Sequence, residues 1–171
     1  MNTKVLVMLS LLVGIGAVLH AVIPGIVFGM KPDLMLIMMF LGIFLFPNLK
    51  NTILLGSATG VISGLTTTFP GGMIPNLIDK FFTALLMYGI FRLVQKLGKT
   101  FAVSLGLTFI GTLISGLLFL GSAYLIVGLP GPFLTLAAVV VLPATVINTV
   151  AMALIQPVAN GIMKRSNLAL N

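Results

Sequence analysis

TFAVSLGLTFIGTLISGLLFLGSAYLIV, Thr100–Val127, contains no charged residue and no proline. It is longer than the ~20 helical residues needed to cross a bilayer's ~30 Å hydrocarbon core. A helix satisfies its own backbone polar groups, so such a stretch can lie in lipid without penalty. Working outward, hydropathy breaks at residues 24–33, 47–50, 70–80, 92–99 and 129–132, where proline, glycine and charge gather. The expected spans are 4–23, 33–46, 51–69, 77–95, 100–127 and 133–163. Of the 171 residues, 59% are hydrophobic and 6% charged, and mean hydropathy is +1.26. No water-soluble domain of this size could bury that much apolar surface. The expectation is an all-α polytopic membrane protein, a single domain over 1–171 built as a bundle of six transmembrane helices. The first apolar segment is expected to remain as the first helix rather than to be cleaved as a signal peptide.

With six spans, Lys4, Lys50, Arg92, Lys96, Lys99, Lys164 and Arg165 fall on one face and only Lys31 and Lys80 on the other. By the positive-inside rule both termini are cytoplasmic. The net charge of +7 therefore marks membrane orientation rather than a nucleic-acid surface, because the basic residues sit at helix ends. With no cysteine and one histidine, disulfides, thiolate metal sites and histidine clusters are excluded. No metal or other cofactor is expected. Gly98-Lys99-Thr100 lacks the upstream glycine of a phosphate-binding loop, since position 93 is leucine. Two acids and one histidine on the outer rim make a poor hydrolase, so no catalytic residue is assigned.

Small residues form stripes at helical spacing: Ser10, Gly14, Ala17 and Ala21; Gly56, Gly60 and Gly64; Thr108, Thr112 and Gly116. Internal packing accounts for most such stripes, and at least one is a candidate for meeting a partner protein.

Both acids lie on the outer side, each next to a lysine: Lys31 near Asp33, Asp79 beside Lys80. Asp79 and Lys80 fall below the outer boundary of the fourth span, and intramembrane charges are functional-site hypotheses by default. The second span, ~21 Å long, is too short for the core, so residues 24–31 are expected to dip in and complete it. Together these features suggest an outward-open pocket. As sequence neighbours on a helix, Asp79 and Lys80 diverge by ~100° and are expected to seek partners elsewhere. One outcome is a structural clasp, Lys31 with Asp79 and Lys80 with Asp33. The other is that these groups receive the carboxylate and ammonium of a zwitterionic ligand. Asn76 and Thr83 extend the polar face of the fourth helix, which favours a lined cavity. Phe28, Met30 and Phe69 offer apolar walls, and Thr67 with its neighbours offers hydroxyls. His20 is a structural hydrogen-bonding group or a ligand contact. Mid-span Asn148 needs a partner, whether a ligand or a neighbouring helix.

Three runs carry a family resemblance: AVLHAVIPG (17–25), GMKPDLMLIMMFLGIFLFP (29–47) and GLTTTFPGGMIPNLIDK (64–80). They resemble the tryptophan-specific substrate-binding (S) components of energy-coupling factor (ECF) transporters. The resemblance implies a six-helix subunit of the bacterial plasma membrane that captures tryptophan from outside. A transmembrane coupling (T) subunit and two ATP-binding cassette ATPases would drive uptake. On this reading Lys31 and Lys80 are expected to hold the ligand carboxylate, Asp33 or Asp79 its ammonium, and Phe28, Phe69 and Met30 to flank the indole. Many S components meet the T subunit through an Ala-xxx-Ala pattern in the cytoplasmic half of the first helix. Ala17 and Ala21 have the spacing, while Ser10 and Gly14 have the depth. The rival readings are a self-sufficient carrier or channel, which would need inverted repeats or a polar path through the inner half, and a non-transporting assembly factor.

Overall fold

The computed structural model describes residues 2–22, 33–95 and 101–165, and these are helical apart from short connections. The first five helices are α1 (Thr3–Val22), α2 (Leu34–Leu45), α3 (Leu49–Leu65), α4 (Met73–Val94) and α5 (Phe101–Ile126). The last run, α6, passes unbroken from Phe133–Leu136 through a π-helical segment, Ala137–Val141, into Leu142–Arg165. Six helical runs thus stand where six spans were expected, with no strand among the described residues.

Local chemistry sets the boundaries. The Asp33 side chain caps α2 by accepting from the Leu36 N–H, and Asn48 caps α3 by accepting from Lys50. Pro47 lies between them and keeps the two helices apart. The turn into α4 needs a left-handed residue at Gly71, φ 69°, and a Cβ there would stand 2.7 Å from Val127 Cγ1.

Every residue of α2 is buried, and it touches all five other helices. Its sequence, LMLIMMFLGIFL, is apolar on all sides, the pattern of a helix enclosed by others. This resolves the shortness of the second span: α2 is ~18 Å long but meets no lipid-facing surface that would have to match the bilayer. The dip expected at 24–31 lies outside the described residues.

Inside a membrane the hydrophobic effect does not drive helices together, so close packing must. On α3, a Cβ at Gly60 would stand 3.1 Å from Leu77 Cα and one at Gly64 2.9 Å from the Met73 carbonyl, which lets α3 lie against the α4 backbone. On α5, Thr108 and Thr112 are buried, and Gly116 lies against Val141 of α6. The α1 stripe behaves differently. Leu9, Leu12 and Gly16 form its inward face, while Ser10, Gly14 and Ala21 are exposed, Ala17 is half-buried, and nothing lies within 4 Å of a Cβ at Gly14.

Polarity is inverted relative to a water-soluble protein. Asn51, Thr52, Thr59, Asn76, Asp79, Lys80, Thr83, Thr145 and Asn148 are buried, whereas Leu142, Val146, Val150, Leu154, Val158 and Ile162 form an exposed apolar ridge along α6. Thr3–Val22, Phe101–Ile126 and Phe133–Met163 are long and apolar enough to cross a membrane, with Leu34–Leu45 a shorter apolar helix.

Candidate functional site

A cavity of about 450 Å³ opens at the N-terminal end of α2, and all six helices contribute to its wall. The size lies within the ~300–1,000 Å³ typical of small-molecule sites. His20 comes from α1, Asp33 and Leu36 from the start of α2, Ser63 from α3, and residues 66–69 from the turn that follows. Asn76, Asp79 and Lys80 come from α4, Thr112, Ser115, Gly116, Phe119 and Leu120 from α5, and Leu136, Val140, Val141, Ala144 and Asn148 from α6.

The charges form one compact group. The Lys80 ammonium donates to Asp33 Oδ2 at 2.7 Å, to Asp79 Oδ2 at 2.7 Å and to Ser115 Oγ at 3.3 Å. Thr83 Oγ1 donates to the other Asp79 oxygen at 2.9 Å. Asp33 Oδ1 holds the Leu36 N–H and lies 3.9 Å from His20 Nδ1. Asn148 fixes this corner of α2 by accepting from the Asp33 backbone N–H at 2.8 Å, with its amide nitrogen 3.5 Å from Thr112 Oγ1. Asn148 therefore makes an interhelical bond and also lines the cavity.

One expectation is corrected. Asp79 and Lys80 do pair, because the ~100° between adjacent side chains fixes only where they leave the helix. Lysine's long, flexible stem carries its charge back across that angle. Of the expected clasp, Lys80 with Asp33 is present, and Lys80 bridges both carboxylates. Lys31, Phe28 and Met30 lie outside the described residues. Asn76 is buried on the cavity wall, bonded to the Gly72 carbonyl, and Thr67 Oγ1 accepts from the Phe69 N–H. Phe69 meets Phe119 edge to face, ring centroids 5.4 Å apart, and forms the aromatic side of the space.

Ser115, Phe119 and the α6 wall apart from Asn148 went unrecognised in the sequence. Thr112, Ser115 and Phe119 do share a helix face, but the face alone does not say which neighbour it meets. The π-helical turn had a signal in Pro143, which has no N–H to donate and whose ring crowds the carbonyl four residues back. The wider turn before it, where the Leu142 N–H bonds the Ala137 carbonyl, absorbs that conflict and lies beside the cavity residues Val140 and Val141. Ser63 Oγ is a buried hydroxyl on this wall with no hydrogen-bond partner among the described residues.

Comparison with known proteins gives this geometry a family. A model described as tryptophan transporter TrpP matches residues 2–164, and so includes the whole cavity wall. The chain belongs to the TrpP tryptophan transporter family. A probable tryptophan transport protein of Bacillus subtilis is 54% identical over 98% of this chain and 96% of its own length. Probable tryptophan transport proteins of Clostridium perfringens and Clostridium acetobutylicum are 38% and 43% identical, over 98% and 88% of this chain. No solved structure matches. Membership of the TrpP family and the long apolar helices together make this a multi-pass protein of the bacterial cell membrane.

Proposed function

We propose that the chain captures tryptophan from outside the cell for uptake, as an S component served by a separate T subunit and two ATP-binding cassette ATPases. The observation that carries the reading is the juxtaposition, in one cavity, of a buried lysine and two carboxylates with an aromatic and aliphatic wall. A zwitterionic amino acid with a large apolar side chain matches both halves: its charged groups need opposite charges, and its ring needs a place out of water. The names of the relatives support tryptophan as that amino acid. Lys80 and one of the two aspartates serve the charged end, and Phe69 serves the indole.

Energy coupling is assigned to partners by the resemblance to S components, and the lack of a phosphate-binding loop in the sequence agrees with that division of labour. The exposed stripe of Ser10, Gly14 and Ala21, with Ala17 beside it, is the surface proposed for the T subunit. The charge distribution along the sequence supports a cytoplasmic position for both termini.

The chain has no tryptophan and two tyrosines, so a bound tryptophan is the sole indole in the sample. Titration of purified protein should give a saturable blue-shifted emission, resistant to aqueous quenchers. Tyrosine and phenylalanine should displace it poorly. A folded protein giving no saturable change across the micromolar range would sink the assignment to tryptophan. Independently, affinity capture from the native membrane should recover the two ATPases and the T subunit. Capture of the chain alone would reject the coupling part and leave the ligand untouched.

A further inference from the structure

Both carboxylates contact Lys80, yet they are not equivalent. The Asp79 side chain is 1% exposed and each of its oxygens is held, one by Lys80 and the other by Thr83. The Asp33 side chain is 29% exposed and stands at the mouth of α2, with Oδ2 on Lys80. An ammonium has three N–H donors, and those of Lys80 already point to Asp33, Asp79 and Ser115. A ligand carboxylate can therefore reach Lys80 only by displacing one of them. All three line the cavity, but Asp33 is the more exposed of the two carboxylates, displacing Asp79 would strand a buried anion, and displacing the neutral Ser115 hydroxyl frees no carboxylate for the ligand's ammonium.

We infer that Asp33 is the residue that selects for the ligand's ammonium, by exchanging its contact with Lys80 for one with the incoming amino group, while Asp79 stays on Lys80 as a fixed counter-ion. This deepens the proposed capture of an amino acid and rests on that reading. The exchange is balanced. The ligand carboxylate takes the place of Asp33 on Lys80, the ligand ammonium takes the place of Lys80 on Asp33, and no buried charge loses its partner. A carboxylate without an amino group cannot complete the exchange, because it would take Lys80 from Asp33 Oδ2 and set a second negative charge beside it, leaving Asp33 only the Leu36 N–H and His20, on its other oxygen, among the described residues. An amine without a carboxylate needs no exchange, because it adds a cation beside Asp33 and leaves Lys80 undisturbed.

The test uses three fluorescent probes: L-tryptophan, tryptamine and indole-3-propionate. Wild-type protein should bind tryptophan at least about tenfold more tightly than indole-3-propionate, the scale of one charged hydrogen bond. In Asp33→Asn, tryptophan and tryptamine should weaken while indole-3-propionate holds or tightens, so that the preference falls to near parity. Asparagine retains the oxygen that caps α2, and Asp33→Ser, also a capping residue, repeats the measurement with a different side chain. Asp79→Asn should lower the melting temperature and keep the wild-type order of ligands. Equal losses for all three probes in both Asp33 variants would overturn the assignment, as would a preference that collapses in Asp79→Asn instead. Wild-type protein that binds none of the probes would sink the tryptophan reading itself. Wild-type protein that binds tryptophan, with a preference intact in Asp33→Asn, would sink only the role of Asp33.

Discussion

Removing the Lys80 ammonium would leave Asp33 and Asp79 close together with no cation between them among the described residues. Lys80→Met should therefore destabilise the protein by about 3–5 kcal/mol, the usual cost of breaking a buried ion pair from one side. Adding Asp79→Asn to that variant should recover part of the loss, since it removes the most deeply buried of the stranded charges. Thermal unfolding in mild detergent with and without the second change checks the pair, and additive losses would refute the coupling. Asp79 and Lys80 stood out in the sequence because charges at membrane depth are costly and need a reason. Which charge meets which was not legible, since helix geometry fixes the direction of a Cβ but not where a long side chain ends.

Helix against helix, the glycines of α3 and the small residues of α1 both recur at helical spacing and have opposite fates. A side chain at Gly60 would run into the α4 backbone, which cannot yield as the end of a side chain can. Gly60→Val should cost about 1–3 kcal/mol or more through overpacking, whereas Gly14→Val, at an exposed position, should leave the melting temperature close to wild type. If Gly14→Val also abolished capture of the T subunit while ligand binding persisted, the proposed docking surface would gain direct support. Existence and approximate limits of the helices were readable from proline, glycine and charge at their ends. The facing of α5 was not: Thr108, Thr112 and Gly116 read as a packing stripe, and so they are, yet Thr112 and Gly116 also line the cavity. A stripe's chemistry says that something approaches closely, and only the neighbouring helices decide whether that is another helix, a ligand space or the outside.

For the molecule as a whole, the proposed orientation rests on the excess of basic residues at one set of span ends in the sequence. The chain has no cysteine of its own, so single cysteines report sidedness directly. In intact cells an impermeant thiol reagent should label Pro70→Cys and spare Thr3→Cys, both exposed positions, and the reverse pattern would invert the proposed topology. The burial of α2 has a further consequence for how the bundle sits in its solvent. Hydrophobic mismatch is felt where protein meets acyl chains, and that rim is formed by the surrounding helices and not by α2. The start of α2, capped by Asp33 at the edge of the cavity, sits among the other helices rather than against acyl chains and is insulated from bilayer thickness. In liposomes whose acyl chains are lengthened stepwise, the unfolding temperature should move with chain length while the affinity for tryptophan stays level.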